Sequence, residues 1–385
     1  MSTYYAAEHG QDLYFFYPAD NLSALRCRIW RKGELLAEET LHSSIKLPFS
    51  VFHHNDLLHV FCQDTDGNTL LFANSGEKWS SRTVLQNNDG ASTLLTPIVS
   101  DDSLCILYNG TDDENTPYLF KRSLATSGQW QDAETIDCFK PFSFAPYVGQ
   151  STGPGHLVLF YQIQSEECQV GYREITPGRT GPFHRFLNIK GSLADASYLT
   201  TFEDLHILMV VKTALSCQLL YRKKTEENFT TEILLWEAPR IEQCLLTIVD
   251  DKLHATCMIG GKPHRAISTD YGDTFGSMSL YKRKFCAEPV KAGFVTQANF
   301  TSRLKSRGFF ARQIYVDRAA PWDVQMIPDL LPGFYPREVE ETVQMQELKN
   351  SLAAAQRALD AKDRQIMELM YRSKETEPFP RQTSG

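Results

Sequence analysis

Leu104-Cys-Ile-Leu-Tyr108 is a short apolar run with five relatives along the chain. They are Leu13-Tyr-Phe-Phe-Tyr17, Leu58-His-Val-Phe-Cys62, Leu157-Val-Leu-Phe-Tyr161, Leu205-His-Ile-Leu-Met209 and Leu253-His-Ala-Thr-Cys257. Taken in chain order, the leading leucines are 45, 46, 53, 48 and 48 residues apart. A period in this range, built from runs rich in Val, Ile, Phe and Tyr with turn residues between them, predicts an all-β propeller. Helical solenoids are excluded, because the runs are too short and too β-branched.

Each period divides into four strands. In the third, Leu94 to Ser100 is the innermost, Ser103 to Asn109 the second, Tyr118 to Ser123 the third and Trp130 to Ile136 the outermost. The fifth runs Ser197 to Phe202, Leu205 to Lys212, Gln218 to Lys223 and Phe229 to Leu235. A two-residue polar turn joins the first two strands, at Asn55-Asp56, Asp101-Asp102, Glu203-Asp204 and Asp250-Asp251. Asn and Asp suit it because they tolerate the positive φ of tight hairpins. The count reaches seven blades if Thr3 to Leu41 is a whole first blade and Glu288 to Ile327 a last one. That last blade would place its second strand near Phe300-Thr-Ser-Arg-Leu304, which lacks the leucine signature, so six blades and an irregular cap is the alternative count. Closure is expected blade against blade, with no strand borrowed from the other terminus.

Composition narrows the function. The 385 residues are 42% hydrophobic and 22% charged, as in soluble globular proteins. A net charge of −8 without a basic stripe excludes nucleic acid as partner. No 18 apolar residues run together, so no membrane insertion is expected. Met1 to Glu8 has neither a charged nor an apolar leader region, and the nine scattered cysteines form no C-x-x-C pair. Reduced thiols and a cytoplasmic location follow as expectations.

Candidate metal and cofactor sites dissolve on inspection. His53-His54 points its two rings to opposite faces of a strand end, whatever Asp56 does. Asp64-Thr-Asp-Gly-Asn68 opens like a calcium loop but has Ser75 where the bidentate Glu belongs. His59, His206 and His254 share one position in three different blades, so the propeller holds them apart. No phosphate loop, nucleophile elbow or zinc-protease motif is present, so no cofactor and no metal are expected.

Ser268-Thr-Asp-Tyr-Gly-Asp-Thr-Phe275 fits the pattern S-x-D-x-G-x-T-[WF] at every defined position. In this the chain resembles the sialidase-like (BNR-repeat, Asp-box) propeller superfamily. The resemblance implies a hairpin between third and fourth strands: Asp270 caps the turn with Ser268 and Thr274, Gly272 supplies positive φ and Phe275 packs between blades. Asn74 to Trp79 and Thr126 to Trp130 look like eroded copies. The catalytic pattern of that superfamily is not matched. It begins with Arg-Ile-Pro near the N-terminus, and here the nearest string is Arg240-Ile-Glu. Tyr4 and Glu8 are the one Tyr/Glu pair that this reading would place on a channel wall, and no catalytic residue is assigned.

After Asp329-Leu-Leu-Pro-Gly-Phe-Tyr-Pro336 the composition changes. Residues 337–372 contain no Gly or Pro and follow a heptad, with Met345, Leu352, Leu359 and Ile366 at a and Leu348, Ala355 and Leu369 at d. Lys362 interrupts the d row. The expected organisation is a propeller over 1–328, a linker over 329–336, a coiled-coil helix over 337–372 and a disordered tail over 373–385. Self-association as a dimer or trimer follows from Met345, Leu348, Leu352, Leu359, Ile366 and Leu369. The function expected is a non-enzymatic scaffold that docks an unidentified protein on one propeller face and is made multivalent by the helix. The alternative is a glycan-directed protein, either a degenerate glycoside hydrolase or a lectin-like binder. The two are told apart by the channel: converging arginines favour the hydrolase, an apolar plug the scaffold.

Overall fold

Two residues of positive φ, Asn55 at 50° and Asp56 at 57°, turn one strand back on the next, and the same hairpin geometry recurs at Asp251 with 58°. Around such turns the chain builds antiparallel meanders, as the computed structural model shows. It describes residues 4–317 and Lys362, apart from 20–23, 32–33, 77, 87–93, 101–102, 113, 126–128, 143, 154, 164–168, 189–190, 202–203, 226–227, 250, 282–288 and 297–312. The chain divides into two units, Met1–Phe334 and Tyr335–Gly385. Of the second unit only Lys362 is described, and it is helical. The heptad residues Met345, Leu348, Leu352, Leu359, Ile366 and Leu369 lie outside the described residues.

The first meander is β1 (Tyr5–His9), β2 (Asp12–Pro18), β3 (Leu25–Arg31) and β4 (Glu34–His42). The second is β5 (Ile45–His54), β6 (Leu57–Asp64), β7 (Thr69–Asn74) and β8 (Trp79–Leu85). The third is β9 (Leu95–Ser100), β10 (Ser103–Thr111), β11 (Pro117–Ser123) and β12 (Glu134–Lys140). In the fourth, β13 (Val148–Gly153), β14 (His156–Ile163) and β15 (Gln169–Thr176) pair on to β17 (His184–Asn188), with a two-residue β16 (Arg179–Thr180) at the turn. The fifth has β18 (Ser192–Thr200), β19 (Leu205–Lys212), β20 (Cys217–Thr225) and β22 (Ile233–Ala238), with a short β21 (Asn228–Phe229). The sixth is β23 (Cys244–Val249), β24 (Lys252–Ile259), β25 (Lys262–Ser268) and β26 (Ser279–Leu280). A last unit contributes β27 (Pro289–Val295) and β28 (Gln313–Asp317).

The six signature leucines all stand first or second in the second strands, β2, β6, β10, β14, β19 and β24. These strands read as continuous apolar runs because both faces are covered; in β19 every residue but Lys212 is buried. The packing explains why. Each hydrophobic cluster bridges neighbouring meanders: Tyr14 and Phe16 meet Val51 and Val60, Phe61 meets Ile106, and Leu107 meets Leu159. Val158 meets Ile207, Leu208 meets Leu246, and Met258 meets Ile314 and Phe15. The last cluster returns to the first meander, so the core is a closed ring of interfaces. The fold is an all-β propeller.

Several strands sit differently from expectation. The outermost strand of the third blade is Glu134–Lys140, because Trp130 makes only an isolated bridge to Leu124. The last unit's second strand is Gln313–Asp317, paired from Pro289↔Asp317 to Gly293↔Gln313, and not the segment near Phe300. Closure also involves backbone pairing. β27 runs parallel to β1, with Tyr5↔Gly293, Ala6↔Phe294 and Ala7↔Val295 in register, and Gly293 N–H donates to Tyr4 O at 2.9 Å. The seven described cysteines are all free. Among the described residues no helix is long and apolar enough to cross a membrane.

The parallel pair needs a glycine. A Cβ at Gly293 would overlap the ring of Tyr5, which is itself packed against Phe49 at 5.3 Å. Gly293→Ala is therefore expected to destabilise the protein by about 1–3 kcal/mol, the usual cost of overpacking. Gly178→Ala, where a Cβ meets nothing within 4 Å, is the matched control and should melt like the parent. Equal melting temperatures for the two variants would show that closure does not depend on that approach.

Candidate functional site

Inner strands of the ring enclose a cavity of about 270 Å³. Its wall includes Tyr5, Ser50, Thr96, Tyr147, Ser197 and Phe294, and its charged side chains among the described residues are Asp195 and Lys291. No described arginine lines it. Tyr5 takes the wall position on β1. Tyr4 and Glu8 have the opposite parity: Tyr4 stacks on Phe15 at 6.1 Å, and Glu8 is buried with Oε2 unpartnered, its carboxyl pushed well above the usual range by burial. The expectation that Tyr4 and Glu8 line the channel is thus corrected, since alternate residues of a strand face opposite ways.

The cavity's polar groups are occupied with one another. A bulge between Leu193 and Asp195 turns the Asp195 carboxylate inward. Lys291 Nζ donates to its Oδ1 at 3.1 Å and Oδ2 at 2.9 Å, and to Ala196 O at 3.2 Å. The same carboxylate accepts the Cys244 N–H at 2.8 Å, and Ser197 Oγ accepts the Leu246 N–H at 3.1 Å. Tyr147 Oη lies 2.8 Å from Leu94 O and 3.0 Å from Leu107 O, and Tyr198 Oη donates to Val158 O at 2.9 Å. Ser50 Oγ donates to Leu95 O. Each bond joins one blade to another. Burial pushes the Tyr5 hydroxyl up to about 12, so it stays protonated at neutral pH.

The Asp-box segment forms the hairpin after β25. Asp270 Oδ1 accepts from Ser268 Oγ at 2.7 Å and Thr274 N–H at 2.9 Å, and Oδ2 accepts from Thr274 Oγ1 at 2.6 Å. Gly272, at φ 91°, donates its N–H to Ser268 Oγ at 2.7 Å. A Cβ there would overlap the Tyr221 hydroxyl of the preceding blade, and Phe275 meets the Tyr221 ring edge-on at 4.8 Å. Tyr221 Oη lies 2.7 Å from His206 Nδ1, whose Nε2 lies 3.1 Å from Thr201 Oγ1. Asp273 adds a second tie, since Lys223 Nζ reaches it at 3.0 Å and Asp204 at 3.2 Å. Thr274 is the main cause of an Asp270 carboxyl held down to about 2, with its hydroxyl ahead of its N–H and of Ser268.

His59, His206 and His254 bond within their own blades. His59 Nε2 is 3.2 Å from His54 O, and His254 Nδ1 is 3.4 Å from Arg265 Nη1. No group of three possible metal ligands occurs among the described residues. A surface groove of about 510 Å³, between the second and third blades, was not legible beforehand. Its lining brings Arg82 of β8 beside Arg122 of β11 and Trp130.

The sequence matches no protein-family model and no curated protein sequence. Among solved structures it is similar to AofleA from Arthrobotrys oligospora, 10% identical over 73% of this chain and 87% of that one, with a TM-score of 0.43. A variant of the Aleuria aurantia lectin in complex with Fucα1-6GlcNAc is 11% identical over 72% and 95%, with a TM-score of 0.43. A neuraminidase-like protein of A/flat-faced bat/Peru is 11% identical over 72% and 86%, with a TM-score of 0.41. Likenesses this remote say nothing of what the present chain binds.

Two outcomes follow from the hairpin and the buried rings. Asp270→Ala removes three acceptor contacts and is expected to lower the melting temperature by about 2–4 °C, as for a lost cap in a large domain; an unchanged melt would mean the box supports nothing. Burial pushes His53, His206 and His254 down to about 4 from an ordinary 6.5. Between those values the unfolded chain binds more protons, so stability is complete above about pH 6.5 and falls as pH drops towards 4. Glu8 opposes this, one group against three. Melting temperatures measured from pH 7.5 to 4.5 should decline through that window, and a flat profile would contradict the burial of these rings.

Proposed function

We propose that the chain is a non-enzymatic binding module, a seven-bladed propeller made multivalent by a coiled coil over residues 337–372. The seventh blade starts with β27 and β28, where Ile314 stands second in its strand, as five of the six signature leucines do in theirs, and is buried as all six are. The observation that carries the functional reading is the state of the central cavity. Its ion pair and hydroxyls bind neighbouring blades together and no described arginine lines it, which favours the scaffold over the hydrolase. Loops and edges on the rim are then the surfaces left to engage a protein partner in the cytoplasm. A lectin-like, glycan-directed module is the second reading. One observation favours it: Arg82, Arg122 and Trp130 line one groove between second and third blades.

Multivalency is the part most directly tested. Leucine-class side chains gain about 1.5–3 kcal/mol each on burial, and Met345, Leu348, Leu352, Leu359, Ile366 and Leu369 offer one stripe. Lys362, which is helical, sits at a d position and favours few strands, where its stem reaches outward. Full-length protein is expected to sediment as a dimer or trimer, and the Leu352→Asp, Leu359→Asp double variant as a monomer. A full-length protein that stays monomeric at micromolar concentration overturns the coiled-coil reading.

A further inference from the structure

The groove between the second and third blades holds arginines unlike most others in the described structure. Arg26 and Arg28 pair with Glu38, Arg31 with Asp12 and Arg173 with Asp137. Among the described residues neither Arg82 nor Arg122 makes a hydrogen bond or ion pair, and Arg122 Nε is buried without an acceptor. This occurs in a chain with 47 acidic side chains against 39 basic ones, where a carboxylate partner is easy to supply. A buried N–H without an acceptor is costly, and charged donors more so.

Trp130 is tied back to the end of β11. Trp130 bridges to Leu124, Ala125 N–H donates to Gln129 O at 2.8 Å, and Gln131 N–H donates to Ser123 O at 2.9 Å. The indole packs on the cluster around Phe61 and Ile106, beside Val84 and Leu85. Gln129 and Thr83 join the lining, so neutral hydrogen-bonding groups flank the two cations and the aromatic ring. A volume of about 510 Å³ suits a small organic ligand.

From this arrangement we infer that the groove binds an acidic sugar, a pyranose bearing a carboxylate or sulfate. The guanidinium groups of Arg82 and Arg122 supply the planar donor forks that match an oxyanion. The indole of Trp130 gives the apolar C–H face of the ring a flat surface with a partly negative π-system. Gln129 and Thr83 are placed for hydroxyls. The inference rests on the glycan-directed reading of the preceding subsection and narrows it to a ligand class and a site.

The test is a calorimetric titration of full-length protein with methyl β-glucuronide, methyl α-galacturonide and galactose sulfate, with methyl β-glucoside and inorganic sulfate alongside. At least one acidic sugar is expected to bind ten-fold or more tightly than both the neutral glycoside and sulfate, and to weaken as salt rises. Arg122→Gln and Arg82→Gln should each weaken it ten-fold or more, the effect of losing one charged hydrogen bond. Arg82 is exposed, so its variant keeps the test sound even if Arg122→Gln folds poorly. Trp130→Phe should weaken binding with the melting temperature checked in parallel. Equal binding of neutral and acidic sugars, or binding unchanged in both arginine variants, overturns the acidic site and leaves a lectin-like role standing. Sulfate bound as tightly as any sugar overturns it too. No saccharide binding at all removes the site and the glycan-directed reading together.

Discussion

The Asp195 carboxylate holds three units of the ring at once. It sits on the fifth, accepts a backbone N–H from the sixth and grips the ammonium of Lys291 on the last unit. Both side chains are nearly sealed from solvent, at 6% and 5% exposure. Taking such a pair out of water is expensive, and a buried pair is weak evidence of net stability. What it does provide is specificity. A lone carboxylate or ammonium at that depth would cost about 3–5 kcal/mol, so only the arrangement that brings the fifth, sixth and last units together satisfies both. The other inner-strand contacts, from Ser50, Tyr147 and Tyr198, do the same for neighbouring pairs with neutral groups.

A second rule operates at the rim. Aromatic residues of the third-to-fourth strand hairpins pack on the blade before them. Phe275 meets Tyr221, Trp79 meets Tyr14 and Phe16 edge-on, and Trp130 joins the cluster containing Phe61. The Asp box is the most elaborate version, because it adds the Tyr221–His206 contact and the Lys223 bridge. In the third blade the same hairpin position has a different use, since its Trp130 also borders the arginine groove.

How much of this is visible in the residues depends on whether the cause is local. Second strands buried on both faces must be apolar throughout, which is why the leucine runs placed them well. Trp130 misled, because its aromatic character resembles a strand while it makes only an isolated bridge to Leu124, and the outer strand starts only at Glu134. The second strand of the last unit was misplaced, within a span that was otherwise right, because Ile314 replaces leucine and 17 residues separate β28 from β27. Tyr5, not Tyr4, faces the cavity, a matter of one residue of strand parity. Arg82 and Arg122 are 40 positions apart in the chain. No motif links them, and only the stacking of blades brings them to one groove.

The parallel pairing of β1 with β27 has a kinetic side. Tyr5 and its partner Gly293 are about 290 residues apart, among the most distant contacts a chain of this size can make, and such contacts form late and slowly. A ribosome adding about 5–20 residues per second leaves the edge of β1 without its partner for on the order of tens of seconds. Throughout that interval an apolar strand edge is open to any extended segment nearby. The ring therefore has a seam in time as well as in space, and whatever shields β1 while the later blades are made decides the yield of closed protein.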